Sequence, residues 1–126
     1  MIKGGERMAN EVENLTVIGT RLVFFADGLF ALAATIDAGM EEAQDEESKK
    51  AVELLSTTIN IVGAWTQLLG DYILFKAAQL DFENKMKAGE ALDEEAGRLE
   101  IVVAESQVVL DVLEVQLAER AGDIVR

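Results

Sequence analysis

The amino-acid sequence predicts an all-α protein: an antiparallel bundle of three long helices with a longer central helix, assembling into a larger helical oligomer. Three observations carry this expectation. The 126-residue chain has no proline, so nothing inside its apolar stretches forces a helix to stop. Its β-branched residues are scattered among Ala, Leu, Glu and Gln, and its apolar residues recur at helical spacing. The chain also repeats itself. Residues 17–37 moved forward by 44 positions lie without a gap on residues 61–81, placing Gly19 on Gly63, Asp27 on Asp71, Ala33 on Ala77 and Asp37 on Asp81. Residues 59–78 moved forward by 40 lie on residues 99–118, placing Ile61 on Ile101, Ala64 on Ala104, Gln67 on Gln107, Asp71 on Asp111 and Ala78 on Ala118. A unit that recurs in this way cannot bury its apolar face alone and stacks on its copies.

A single helical domain is expected over residues 1–126, with an N-terminal extension at 1–8 and helices at about 9–38, 45–88 and 93–121. The first helix ends where Gly39 offers the left-handed conformation that commonly closes a helix. The acidic run from Glu41 to Glu47 then supplies a solvated turn and a negatively charged first turn for the second helix. That helix runs to Lys85 and Lys87 in its last turn, with Gly89 as the stop, and spans roughly 65 Å. The third helix starts near Asp93, with Glu94 and Glu95 in its first turn, and ends before Gly122. Its clearest period is a heptad seam of Leu92, Ala96, Leu99, Val103, Ser106, Leu110, Leu113, Leu117 and Ile124, interrupted by Arg120. Val102, Val109 and Val112 widen the seam, and Glu100, Glu105, Glu114 and Glu119 form the wet side.

The first two helices are apolar on nearly all sides over 15–36 and 59–80, the mark of helices buried on several faces. Small residues recur every seven positions inside them, Gly19, Ala26 and Ala33 in one and Gly63, Gly70 and Ala77 in the other. These are the expected helix-packing positions, since a mid-helix Gly costs about 0.8–1 kcal/mol relative to Ala and close approach of two helices offsets that cost. If the first hairpin folds about residue 42, Gly19 meets the second helix near Gly63 and Trp65; if the second folds about residue 90, Leu117 also meets Gly63. Only the centre of the middle helix then touches both neighbours. The two-helix-thick ends still carry Phe24, Phe25, Phe30, Leu32, Tyr72 and Phe75, and the candidate interface residues are Phe24, Phe25, Phe30, Trp65, Leu69, Tyr72 and Phe75, Trp65 being expected as an interface anchor beside Gly63.

Composition excludes several chemistries. A net charge of −13 with no basic stripe argues against nucleic acid, which requires clustered Lys and Arg. Cysteine and histidine are both absent, removing thiol nucleophiles, Cys-type zinc sites, the usual general base and the commonest metal ligand. No cofactor, no metal and no catalytic residue are expected. Asp27, Asp71 and Asp111 hold the same place in the three repeats and would form an acid–base or cation cluster if they converged. The favoured expectation is that each faces water, since antiparallel neighbours place like positions at different heights. Arg21 is expected to pair with an acid on the third helix or on another subunit. The segment before Met8 reads as the translation of a purine-rich ribosome-binding site, so translation is expected to start at Met8, and the cytoplasm is the expected location.

The segment Gly63-Ala64-Trp65-Thr66-Gln67-Leu68-Leu69-Gly70 resembles the Gly-x-Trp-x-Gln-x-x-Gly repeats of small, uncharacterised repetitive helical proteins of spore-forming bacteria. The resemblance covers mainly residues 59–80 and, more loosely, 15–36; glycine spacing is irregular in the first helix and nearly gone in the third. It implies a helical repeat and no activity. The expected function is therefore a non-enzymatic, self-associating structural protein, a homo-oligomer joined through apolar helix faces. The alternative is a protein lying on a membrane or lipid surface; insertion across a bilayer is disfavoured by the Asp near the centre of each apolar stretch.

Overall fold

A computed structural model of the protein describes residues 4–42, 45–89 and 93–125. The chain is three helices: α1 (Gly4–Ala38), α2 (Glu46–Lys87) and α3 (Glu94–Val125), with a 3-10 turn at Gly39–Glu42 after α1. At 42 residues against 35 and 32, α2 is the longest.

The helix boundaries follow from their caps. Asp45 is the N-cap of α2, its Oδ1 accepting from the Ser48 backbone N–H at 2.6 Å. Those bonds to Ser48 favour the charged form and hold the Asp45 carboxyl below its ordinary value. Asp93 does the same for α3, accepting from Ala96 N–H at 3.1 Å. At the far end of α2, Gly89 has φ 65°, the left-handed conformation expected of it, and its N–H donates to Met86 O at 3.2 Å.

Three boundaries differ from expectation. Residues 4–8 continue α1 instead of forming an extension, because Glu6, Arg7, Met8 and Ala9 are helix formers or tolerate a helix and propagation adds a backbone bond for each residue fixed. Residues 1–3 lie outside the described residues. Gly39 does not enter the left-handed region: the chain tightens into a 3-10 turn, whose i→i+3 bonds satisfy the last carbonyls of α1 without it. Finally, α3 runs past Gly122 to Val125, and Gly122 is buried; the cost of one mid-helix Gly, about 1 kcal/mol, does not outweigh packing of the turn that contains it.

Packing uses stripes of seven-residue period. In α1 the covered stripe runs through Val12, Leu15, Gly19, Leu22, Ala26, Leu29, Ala33 and Ile36. In α2 a stripe through Gly63, Gly70 and Ala77 meets α1, while Ala64, Leu68 and Asp71 lie toward α3. The two stripes of α2 are one residue apart, and consecutive residues lie about 100° apart around a helix. A closed three-helix bundle needs about 60° between its neighbours; at about 100°, with interaxial distances of about 9 Å, the axes of α1 and α3 are about 14 Å apart. Accordingly, α1 packs on α2 and α2 on α3, but among the described residues no Cα of α1 lies within 8 Å of one in α3. The trio is an open bundle with α2 in the middle.

The register of the first hairpin is also corrected. A Cβ built on Gly19 falls 2.8 Å from Leu74 Cγ and 2.9 Å from Gly70 O, and one built on Gly63 falls 2.9 Å from the Phe30 ring. Gly19 therefore opposes Gly70 and Leu74, not Gly63 and Trp65, because the 3-10 turn lengthens the link and moves the fold point past residue 42. Gly63 is the repeat equivalent of Gly19, and Leu74 of Phe30, so one contact is made twice.

Candidate functional site

All six small residues expected at helix crossings are buried: Gly19, Ala26, Ala33, Gly63, Gly70 and Ala77. Their smallness sets the character of the interior. Among the described residues the buried apolar ones are Ala26, Ala33, Ala64, Ala77 and Val115, so the large side chains there lie at the margins or outside.

The heptad seam read on α3 is where this matters most. The stripe α3 covers is Gly97, Ile101, Ala104, Val108, Asp111, Val115, Ala118, Gly122 and Val125, one or two residues on from the positions of the expected Leu-rich seam. Small side chains on both helices let α2 and α3 approach closely, and this selects the Ala/Gly stripe over the Leu stripe. Leu99, Val103, Leu110, Leu113, Leu117 and Ile124 are left exposed, Leu117 to 68%. Glu119, expected on the wet side, is half-buried and accepts a hydrogen bond from Trp65 Nε1 at 2.9 Å.

The acidic trio divides. Asp27 is exposed on α1 as expected, but Asp71 and Asp111 are buried and meet across α2 and α3, which corrects the expectation for those two. Where two repeats pack in opposite registers, there is one level at which equivalent residues face each other. Facing pairs here are Trp65 with Glu119, Asp71 with Asp111, and Phe82 with Arg98, whose guanidinium lies 5.5 Å from the Phe82 ring centroid. Of these, Asp71 and Asp111 alone are separated by the repeat length. Asp27 misses the level at which α1 meets α2 through equivalent residues, since Gly70 lies against Val23 and Leu22.

Burial pushes the Asp111 carboxyl up to about 7, the hydrogen bond and negative charge of Asp71 push in the same direction, and the Gln107 side chain opposes them. Gln107 Nε2 donates to Asp111 Oδ1 at 3.3 Å. Its fellow oxygen, Oδ2, has no hydrogen-bond partner while both carboxyls are ionised, so a proton held there and donated to Asp71 satisfies both groups. A proton on Asp111 thus makes the two carboxyls a contact between helices. None of the grooves at Trp65, Phe25 or Phe30 is lined by either carboxylate.

The expected interface residues are mostly exposed. Phe24, at 79%, and Phe25 stand on the outer face of α1, and Trp65, Leu69 and Tyr72 on α2 are exposed. Phe75 is half-buried, its ring 5.7 Å below Lys76 Nζ, which also lies 5.5 Å over Tyr72. Phe30 is half-buried because it covers Gly63. A groove of about 610 Å³ runs along α1 between Phe24, Phe25, Gly28, Leu29 and Leu32, with Thr20 and Arg21 at its end. Gly28 is informative: Gly19, Gly63 and Gly70 each sit where a Cβ would collide, whereas nothing lies within 4 Å of a Cβ on Gly28. Arg21, expected to pair with an acid, has no ion pair among the described residues.

Among the described residues no three acidic side chains gather to hold a metal ion. Among the described residues one helical stretch, Asn10–Ala38, is long and apolar enough to cross a membrane, with mean hydropathy 1.7 over its best window and 17% of that window buried. Comparison of the chain with protein-family models, with curated proteins and with solved structures gave no match.

Proposed function

We propose that the protein is a non-enzymatic, self-associating helical scaffold, a unit of three antiparallel helices whose uncovered apolar faces pack on other copies of the same chain. The observation that carries this reading is surface area. The chain exposes 8801 Å², against roughly 6,600 Å² for a compact monomer of its mass. The excess, on the order of 2,000 Å², exceeds the roughly 800 Å² per partner of a standard stable interface. Much of it comes from large apolar side chains aligned on helix faces, the composition expected of contacts between copies. Sedimentation velocity at moderate salt over a range of concentrations is the test. Mass should grow with concentration; a monomer at all concentrations would end the reading.

A second reading rests on the apolar stretch of α1, whose exposed Phe24 and Phe25 suit the headgroup boundary of a lipid layer. The net charge of −13 opposes binding to anionic lipid. Flotation with zwitterionic vesicles separates the two: co-flotation of a monomeric protein would favour the lipid surface.

A further inference from the structure

Each helix of the protein carries an apolar stripe that its neighbours do not cover; α2 has α1 on one stripe and α3 on the next and still exposes Leu55, Val62, Trp65, Leu69 and Tyr72 on a third. In repeat architectures each unit contacts only its neighbours, and the terminal units need a polar outer face to end the stack. Here both terminal units are apolar outside, through Phe24 and Phe25 on α1 and through Val103, Leu110 and Leu117 on α3.

We propose that the occupant of each face is a second copy joined head to tail, with the exposed Leu stripe of α3 in one copy seated in the α1 groove at Gly28 of the next. This deepens the self-association reading above and rests on it. Three observations select this pairing over α3 on α3 or α1 on α1. The first is charge. Along α3 eight acidic residues stand against Arg98 and Arg120, so two α3 helices side by side repel. Over residues 15–36 of α1 the charges are Asp27 and Arg21 alone, and Arg21 has no ion pair among the described residues. An acidic α3 therefore meets a neutral apolar face that offers it a cation.

The second is continuity. The α1–α2 and α2–α3 contacts both pack one copy of the repeat on the next through seven-residue stripes, and α3 on the following α1 continues the series across the molecular boundary. The third is Gly28. Gly19, Gly63 and Gly70 mark close crossings of two helices, and Gly28, also in mid-helix, marks none within the chain. A mid-helix Gly is unfavourable, and the notch it leaves beside Phe24 and Phe25 admits a Leu from outside. A head-to-tail contact does not close on itself as an isologous dimer does, so the product is a ring or an open filament.

The test uses the full chain and two double variants at exposed positions, F24E/F25E to block α1 and L110Q/L117Q to block α3, with circular dichroism confirming that each is helical. In sedimentation velocity the wild type should give a ladder of species beyond the dimer. Each variant alone should be at least 100-fold weaker in self-association and run as a monomer. An equimolar mixture should form a 1:1 heterodimer that grows no further, since one intact α1 face and one intact α3 face remain. If F24E/F25E still dimerises, the contact is α3 on α3; if L110Q/L117Q still dimerises, it is α1 on α1; if the mixture stays monomeric, α1 and α3 do not pair. Each of these overturns head-to-tail joining while leaving self-association standing. A monomeric wild type overturns both.

Discussion

Replacing Asp111 by Asn removes the proton that the buried pair shares, and its effect on stability depends on pH in a direction set by the structure. The Asp111 carboxyl lies at about 7 in the folded chain against 3.8 in the unfolded one. A group whose folded value is raised contributes stability that is complete below the unfolded value and is lost as pH rises through the folded value. Between about pH 4 and pH 7 the wild type therefore loses on the order of 4 kcal/mol from this pair, at about 1.4 kcal/mol per unit. An Asn at this position is neutral throughout, donates its amide N–H to Asp71 and still accepts from Gln107. D111N should match the wild type to within about 1 kcal/mol near pH 4 and exceed it by about 4 kcal/mol at pH 8. The assay is urea unfolding at constant salt in the monomeric F24E/F25E background, followed by fluorescence of Trp65, the single tryptophan, which is bonded across to Glu119 on α3. Repulsion from the net charge of −13 adds a slope common to both proteins and cancels in the difference. Parallel pH profiles, or a D111N protein weaker than wild type at pH 8, would refute the shared proton.

Glycine substitutions should separate by environment. A Cβ at Gly70 meets Gly19 O at 3.0 Å, a backbone atom that cannot swing aside, so G70A should cost about 1–3 kcal/mol in thermal or urea unfolding despite the better helix propensity of Ala. G63A presses first on the Phe30 ring, a side chain that can tilt, and should cost less than G70A. G28A meets nothing within 4 Å and should stabilise the monomer by about 0.8–1 kcal/mol, while G28L should weaken assembly in sedimentation by filling the notch. W65F removes the bond to Glu119 and should cost about 1 kcal/mol by the same unfolding measurement.

The all-helical class, the three elements, the start of α3 at Asp93 and the stop at Gly89 were legible in the sequence, because propensity, cap chemistry and the absence of proline all point the same way; Asp45, read as the first residue of α2, is its N-cap. The seven-residue recurrence of Gly and Ala was visible there too, and the six residues that carry it in α1 and α2 are buried. The side of α3 that packs was not legible. Periodicity identifies every stripe of the right spacing, and α3 has two, one Leu-rich and one of Ala, Gly and Val; the choice depends on the small residues of α2 that face it. The Asp71–Asp111 pair was hidden for a related reason, as it needs the register of a hairpin to within one turn. The signal that finds it is arithmetic: a facing pair separated by the repeat length joins equivalent residues, and here those residues are ionisable.

The interior built on Ala26, Ala33, Ala64 and Ala77 has a calorimetric consequence. An unfolded chain of this mass exposes roughly 20,000 Å², so folding to 8801 Å² hides only about five-sixths of what a compact monomer hides. The heat-capacity change of unfolding, which scales with apolar exposure, should fall correspondingly below about 12–15 cal/mol/K per residue. A smaller heat-capacity change flattens the curve of stability against temperature, so the isolated unit is weakly held yet changes little between cold and warm. Association restores the missing hydration term, and the steepness of that curve becomes a function of protein concentration.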